Sequence, residues 1–192
     1  MPRELVAFKN WTTVVTMTAA MSAAVLTTSP AFAEEGIVQP PQAIVEARAA
    51  LQDAWDTAPL GFTTATFAQA PANGYGDYTP VASANFQPDQ PIYVYTEPVG
   101  YAFREDDGRY IINLSVDFEL RNMTGQILAS RTSFAQLENA SRRRVHEFQT
   151  SLQFGLQGLQ QGDYVLQVRI NDLNSDKTGS FELPFTMAGQ KN

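Results

Sequence analysis

Two runs of alternating apolar residues lie in GDYVLQVRINDLNSDKTGSFELPFTM, residues 162–187. The apolar positions are Tyr164, Leu166, Val168 and Ile170 in the first run and Phe181, Leu183, Phe185 and Met187 in the second. An apolar residue at every second position is typical of a β-strand with one buried face. The polar residues 172–177 between the runs are typical of a turn, so we predict a β-hairpin at the centre of the core.

The first 33 residues have the features of a cleaved secretory signal. Arg3 and Lys9 form a basic start, and residues 11–28 are uncharged and moderately apolar. Ala31 and Ala33 are the small residues that a signal peptidase site requires. We therefore predict cleavage after Ala33 and export to the bacterial periplasm or beyond, with no integral membrane span left in the mature chain. A membrane anchor or a structural helix is the alternative interpretation.

Composition excludes several classes of function. The chain has 192 residues, a formal net charge of −7 and no cysteine. Loss of residues 1–33 removes two basic residues and one acidic residue, which moves the charge to −8. An acidic chain lacks the basic face that neutralises phosphates, so we expect no nucleic-acid partner. Without cysteine the fold must be held by its core, and about 160 residues suffice for one domain.

Residues 34–83 are predicted to hold one short helix and an irregular segment. Residues 42–56 follow two prolines, and their helical stripe consists of Ile44, Arg48, Leu51 and Trp55, with Val45 and Ala54 widening it. We expect Leu51 and Trp55 to pack on the β domain; docking of the stripe on a partner is the alternative.

Residues 57–82 are rich in proline and turn residues, and a short strand is expected at residues 63–67. Tyr75 and Tyr78 lie in this segment. They are candidate partner contacts, because tyrosine offers a large area with few rotatable bonds. The alternative is that both rings pack inward and hold the segment down.

Residues 84–188 are predicted to supply most of about seven antiparallel strands, ahead of a tail at residues 189–192. The clearest alternation is at residues 110–120, and its solvated face holds Asn113, Ser115, Asp117, Glu119 and Arg121. Residues 126–134 are a weaker strand, and residues 136–144 are a polar, basic loop before the strand at residues 148–156. Since no helix separates these strands, we predict a two-layer sandwich.

The motif Gln161-Gly162-Asp163-Tyr164 resembles the tyrosine corner of immunoglobulin and fibronectin type III sandwiches. The resemblance implies an Ig-like sandwich in which the Tyr164 hydroxyl bonds to backbone a few residues upstream. Leu166 would take the place of a core cysteine. The chain departs from antibody domains in having no cysteine pair and no tryptophan in the third strand. The order of signal, helix and strands also resembles exported bacterial proteins, which implies no activity.

No catalytic, cofactor or metal site is predicted, and we expect the protein not to be an enzyme. His146 is the single histidine, and its place beside apolar strand residues indicates packing. Asp106-Asp107-Gly108 is typical of a turn and not of an acid–base pair. Residues 172–176 have the spacing that opens a calcium loop, but Lys177 replaces the required glycine, so a polar turn is favoured.

Two functions from different classes remain. The first is binding or assembly of another envelope protein, for which the candidate contacts are Trp55, Tyr75, Tyr78, Arg142, Arg143 and Arg144. The three arginines form the single basic cluster, which suits an acidic partner or anionic lipid if it is not simply a solvated loop. The second is a carbohydrate-binding module whose sugar platform would consist of Tyr93, Tyr95 and Tyr101. A purely structural exported domain is a third possibility.

Overall fold

The structure is a computed structural model that describes residues 39–189. It has one helix, α1 (Gln42–Thr57), and the strands β1 (Gly61–Ala68), β2 (Asn85–Phe86), β3 (Ile92–Val99), β4 (Arg104–Asp106), β5 (Arg109–Asn122), β6 (Ile127–Ser141), β7 (Thr150–Phe154), β8 (Gly162–Asp172) and β9 (Thr178–Met187). The predicted mainly β class is confirmed. The predicted signal and residues 190–192 lie outside the described residues. Within residues 39–189 no helix is long and apolar enough to cross a membrane.

The strands form two sheets. The smaller sheet has the order β1-β3-β7. The larger sheet has the order β2-β9-β8-β5-β4, and β6 also pairs with β5. The predicted antiparallel pairing is confirmed for all of these pairs except β2 with β9, which is parallel.

The predicted hairpin of residues 162–187 is confirmed as β8 and β9. Its strands pair antiparallel, from Gly162 opposite Met187 to Asn171 opposite Thr178. The fully buried side chains of β8 are Leu166, Val168 and Ile170. Burying one such side chain stabilises the fold by about 1.5–3 kcal/mol, so this strand contributes strongly to the core.

One hydrophobic core joins the two sheets. Ile92 and Val94 of β3 and Leu114 and Val116 of β5 are all fully buried in the same cluster. The predicted alternation of β5 is thereby confirmed on its apolar face. Ser115 departs from the predicted solvated face, because it is buried.

Strand β6 is longer than its sequence pattern predicts. It continues to Ser141, so most of the predicted loop at residues 136–144 is strand. A bulge opposite Asp117 interrupts the pairing of β5 with β6. Ser133 lies in this bulge with φ 49°, and its amide donates a hydrogen bond to Asp117 Oδ1 at 2.8 Å. The bulge places three residues, 132–134, opposite the single residue Asp117, and this irregular stretch interrupts the alternation in the sequence.

The tyrosine-corner contact is confirmed. The Tyr164 hydroxyl donates a hydrogen bond to the Gln160 carbonyl oxygen at 2.8 Å. The bond holds the start of β8 against the loop before it.

The segment predicted as irregular contributes a strand. β1 pairs with β3 from Gly61 to Ala68, which extends the expected strand at residues 63–67 and places it before the predicted boundary at residue 84. The turns that follow β1 lie over β3. There Tyr78 stacks on Tyr95 with ring centroids 4.0 Å apart, and the Gly76 amide donates to the Tyr95 hydroxyl at 2.7 Å.

Helix α1 confirms the helix predicted at residues 42–56. Pro41 directly precedes the first turn of the helix. Proline has no amide hydrogen, but a residue at this position has no partner for one within the helix, so no hydrogen bond is lost. The Ala58 amide donates to the Ala54 carbonyl at 3.0 Å, and Pro59 follows directly. Trp55 is the one buried residue of this helix.

Candidate functional site

Helix α1 is attached to the β domain at its C-terminal end. The Trp55 side chain is 7% exposed, and its indole N–H donates to the Tyr101 carbonyl oxygen at 2.8 Å. The Lys177 ammonium group donates to the carbonyl oxygens of Asp56 at 3.0 Å and Gly100 at 2.9 Å. A cation at the last carbonyls of a helix also favours its dipole. The buried Trp55 ring thus fixes the helix, which disfavours the prediction of Trp55 as a partner contact.

The rest of the α1 stripe is not covered in the structure. Ile44 is 46% exposed, Val45 is 42% exposed and Leu51 is 47% exposed. The expected packing of Leu51 on the β domain is wrong, because the helix meets the domain only around Trp55. The sequence shows which residues share a helical face, but it does not show how much of that face is covered.

Tyr101 fixes both α1 and the loop at residues 143–147. Its carbonyl accepts the Trp55 indole hydrogen bond, and its hydroxyl donates to the Val145 carbonyl oxygen at 2.6 Å. The Trp55 and Tyr101 rings meet edge to face at 5.0 Å. Burial raises the pKa of the Tyr101 hydroxyl, so it stays a protonated donor. Sequence reasoning missed this role, because Tyr101 lies outside the strand and helix patterns.

His146 lies between the loop and α1. Its Nε2 is 3.2 Å from the Gln52 Oε1 atom, and its ring meets Trp55 edge to face at 4.6 Å. Burial, aided by the nearby positive charge of Arg144, lowers the pKa of His146 below its ordinary value. The expectation of a packed, hydrogen-bonded histidine is confirmed.

The three arginines of the basic cluster are held differently. Arg144 lies over the rings of Tyr110 at 5.2 Å and Phe103 at 5.8 Å, and its Nη1 is 3.7 Å from the Asp56 carboxylate. Arg142 and Arg143 are exposed. In residues 39–189 neither of them forms an ion pair, and the same holds for the exposed Arg48 of α1.

These parts enclose a groove of about 500 Å³, which we call the α1 groove. Arg48, Leu51 and Gln52 line it on the helix side, and residues 143–147 line it on the loop side. Leu51 and Val145 supply apolar surface, whereas Arg48 and Arg143 supply positive charge. An open, partly apolar groove flanked by charge is suited to binding and offers no nucleophile with an adjacent base.

The remaining predicted contacts lie apart from these lining residues. Tyr75 is 42% exposed, and Tyr78 is half-buried against Tyr95. Neither Tyr75 nor Tyr78 lines the α1 groove. The structure therefore brings Arg143 and Arg144 together with α1 but does not bring the two tyrosines into the same site.

The three tyrosines of the predicted sugar platform do not form an exposed row. Tyr95 and Tyr101 are fully buried, and Tyr93 is half-buried. Stacking on a sugar requires exposed ring faces. The turns after β1 cover Tyr95, and Trp55 covers part of Tyr101.

Glu97 is a buried carboxylate whose oxygens are already bonded. It accepts hydrogen bonds from the Tyr95 hydroxyl at 2.5 Å and the Thr63 hydroxyl at 2.7 Å. Burial opposes its ionisation, but these hydrogen bonds outweigh burial and lower the pKa of Glu97. Burial and the bond to Glu97 in turn raise the pKa of Tyr95 to about 12. A carboxylate that stays ionised and bonded in this way is a structural group.

The calcium-like spacing at residues 172–176 forms a polar turn. The Asp172 carboxylate accepts hydrogen bonds from the Ala102 amide at 2.7 Å, the Asn174 amide at 3.0 Å and the Ser175 hydroxyl at 2.6 Å. These bonds connect the turn to the segment after Gly100. Across residues 39–189 no group of three or more histidine, aspartate or glutamate side chains is placed to hold a metal ion.

A second, smaller cavity of about 130 Å³ lies on the solvated face of the larger sheet, at the β6 bulge. Asp117, one of its lining residues, accepts from the Ser133 amide and from the Asn171 side chain at 2.8 Å each.

Comparisons with known proteins give weak structural likeness alone. No family model and no curated protein matches the chain. Among solved structures, it is similar to a superoxide reductase (neelaredoxin) from Ignicoccus hospitalis, with 11% identity, a TM-score of 0.32, and coverage of 66% of this chain and 82% of that chain. For a variant form of that reductase the identity is 13%, the TM-score is 0.33, and the coverage is 78% of this chain and 100% of that chain. For Spo0M, a sporulation control protein from Bacillus subtilis, the identity is 8%, the TM-score is 0.31, and the coverage is 66% of this chain and 50% of that chain. At these TM-scores the likenesses say nothing about activity.

Proposed function

We propose that this protein is a non-catalytic binding module of the bacterial envelope that docks a partner protein at the α1 groove. The observation that carries the proposal is the exposure of Ile44, Val45 and Leu51 on a helix whose position is fixed. A fixed helix with an uncovered apolar stripe beside a groove is the arrangement used to bind a second helix or peptide. The anchors at Trp55 and Lys177 mean that little ordering is needed on binding.

Protein is favoured over the other ligand classes by the character of the surface. The chain is acidic overall, which disfavours nucleic acid. Two of the three tyrosines that would stack on sugar are buried. The buried carboxylates Glu97 and Asp172 are saturated by internal hydrogen bonds. Apolar side chains flanked by arginines are typical of protein interfaces.

The proposed location follows from the first 33 residues. The basic start, the apolar middle and the Ala-Phe-Ala sequence support export, and the absence of cysteine is compatible with any redox compartment. Mass spectrometry of the protein from the periplasm or medium should find Glu34 as the first residue. An intact Met1 would rule out a cleaved signal.

We also propose that the two sheets form an Ig-like sandwich. Support comes from the tyrosine corner at Tyr164 and from the strand order, in which β1, β3 and β7 share one sheet while β9, β8, β5 and β6 follow one another in the other. That order corresponds to the division of strands in immunoglobulin domains.

Site-specific photocrosslinking in the exporting host tests the proposed function. A photoreactive residue would replace Leu51 in the α1 groove. The matched control is Leu128, an apolar residue of similar exposure, 43% against 47%. Leu128 pairs near Leu120 of β5, whereas Arg144 lies over Tyr110, about 33 Å away along that strand.

The proposal predicts one recurrent protein adduct at Leu51 that is missing at Leu128. No adduct at Leu51 in folded, exported protein would overturn it, and so would the same mixture of adducts at both positions. Arg143 offers a second crosslinking position on the opposite wall of the groove and should capture the same protein.

A further inference from the structure

We propose that the segment bound in the α1 groove is an acidic amphipathic helix of the partner protein. This inference rests on the proposed function and specifies the chemistry of its partner.

The groove is a basic site on an acidic protein. Its lining residues include Arg48, Arg143 and Arg144 against one carboxylate, Glu147. Arg144 pairs with Asp56 at 3.7 Å, whereas Arg48 and Arg143 line opposite walls of the groove without an ion pair in residues 39–189. The formal net charge of the whole chain is −7. An acidic segment is therefore attracted to the groove and repelled by most of the remaining surface, which favours one docking position.

Arginine is suited to this recognition because its planar group binds a carboxylate through two parallel hydrogen bonds. Arg48 and Arg143 are exposed and form no ion pair within residues 39–189, so their donors remain available to a partner.

The apolar residues of α1 have the spacing of a helix-packing face. Ile44 and Leu51 are seven residues apart, which is about 10 Å along the helix, and Arg48 lies between them. Residues three, four and seven apart form the ridge that packs against a neighbouring helix. A partner helix lying along this ridge would contact Ile44 and Leu51 with its apolar side chains and reach the arginines with flanking carboxylates.

An anionic membrane fits the same surface less well. A helix that lies on a membrane carries lysine and arginine along its polar face. The polar residues of α1 include Glu46, Asp53 and Asp56 against Arg48 as its one basic residue. The arginine-bearing loop also forms a groove with the helix instead of a flat surface.

The test repeats the Leu51 crosslinking experiment in three backgrounds: unchanged, Arg48→Gln with Arg143→Gln, and Arg104→Gln with Arg169→Gln. The two double variants remove the same charge from exposed arginines, but only the first alters the groove. Circular dichroism melting checks that each variant is folded. Mass spectrometry identifies the crosslinked peptide, and flotation with phosphatidylglycerol vesicles tests for membrane binding.

We expect the Leu51 adduct to fall about tenfold in the groove variant and to persist in the control variant, where tenfold corresponds to 1.4 kcal/mol. The captured peptide should carry aspartate or glutamate beside apolar residues at helical spacing. Equal adduct in all backgrounds, a captured peptide without acidic residues, or vesicle binding that depends on the two groove arginines would overturn the inference. Lack of any adduct in the unchanged background would instead overturn the proposed function.

Discussion

At the scale of single residues, Tyr101 has the largest influence on the α1 groove. Its backbone carbonyl holds Trp55 of the helix, and its hydroxyl holds the Val145 carbonyl of the loop. The helix wall and the loop wall of the groove are therefore both held by Tyr101, one through its backbone carbonyl and the other through its hydroxyl. The first bond is buried and the second is part-buried, so the loss of either leaves a shielded polar group without its partner, which costs more than the bond itself contributes.

We predict that Tyr101→Phe lowers the free energy of unfolding by about 1 kcal/mol, because the Val145 carbonyl loses its donor. Urea unfolding followed by circular dichroism measures the change. Tyr93→Phe is the matched control, since the half-buried Tyr93 hydroxyl makes no hydrogen bond to a side chain or backbone group within residues 39–189. Equal stability of Tyr101→Phe and the wild-type protein would show that the loop is held by other contacts.

The lowered pKa of His146 predicts a dependence of stability on pH. The unfolded state binds a proton near pH 6.5, whereas the folded state binds it at a lower pH. The unfolded state therefore holds more protons in this range, and the free energy of unfolding falls as the pH drops below about 6.5. Arg144 opposes protonation, Asp56 favours it, and Gln52 is the hydrogen-bond partner.

Urea unfolding between pH 8 and pH 5 tests this prediction in the wild-type protein and in His146→Gln. The substitution should flatten the curve in that range. The Glu97 carboxylate does not interfere, because its pKa is lowered and its contribution is lost only at more acidic pH. Identical curves for the two proteins would contradict a titrating role for His146.

At the scale of elements, the attachment of α1 depends on the turn at Gly100. Gly100 has φ 77°, a conformation that residues with a side chain rarely adopt. A Cβ atom at this position would overlap the Pro59 carbonyl oxygen. The Gly100 carbonyl also accepts from Lys177, which bonds to the end of α1 as well.

We predict that Gly100→Ala lowers the free energy of unfolding by more than the roughly 1 kcal/mol expected from the backbone conformation alone. Gly125→Ala is the control, because Gly125 has φ 84° but open space around its Cβ position. Urea unfolding compares the two variants, and the fluorescence of Trp55 reports whether α1 has moved. Equal destabilisation would show that the backbone near Pro59 relaxes without cost.

Some elements were predictable from local pattern and others were not. The β8–β9 hairpin and the buried face of β5 follow from strict alternation, and α1 follows from its spacing and its flanking prolines. The length of β6 was not predictable, because the bulge around Ser133 breaks the alternation. Local pattern is informative where an element follows one period and fails where tertiary contacts interrupt it.

The site was predictable only in part for the same reason. Arg143 and Arg144 stand out as a basic cluster, but their position beside Leu51 arises from contacts between distant segments. Tryptophan and tyrosine are residue types that often contact partners. Trp55 and Tyr101 are nevertheless both buried, and the Trp55 indole donates a hydrogen bond to the Tyr101 carbonyl. No periodicity reveals whether an aromatic ring anchors an element or faces a partner.

At the scale of the whole molecule, the proposed function depends on a difference in charge between the α1 groove and the rest of the protein. The chain is acidic, but one groove is basic and lies beside an exposed apolar stripe. Exposed apolar residues that share one face of a fixed helix beside a groove favour a partner that covers them. We therefore expect a partner to cover Ile44, Val45 and Leu51 where the protein works.

The most direct measurement is hydroxyl-radical footprinting of the protein in intact exporting cells and after purification. We expect labelling of Ile44, Val45 and Leu51 to be several-fold lower in cells, because a bound partner helix excludes the radical. Labelling of Leu128, which has similar exposure, should be equal in both samples. Equal labelling of the α1 residues in cells and in purified protein would contradict the claim that this groove is occupied by a partner.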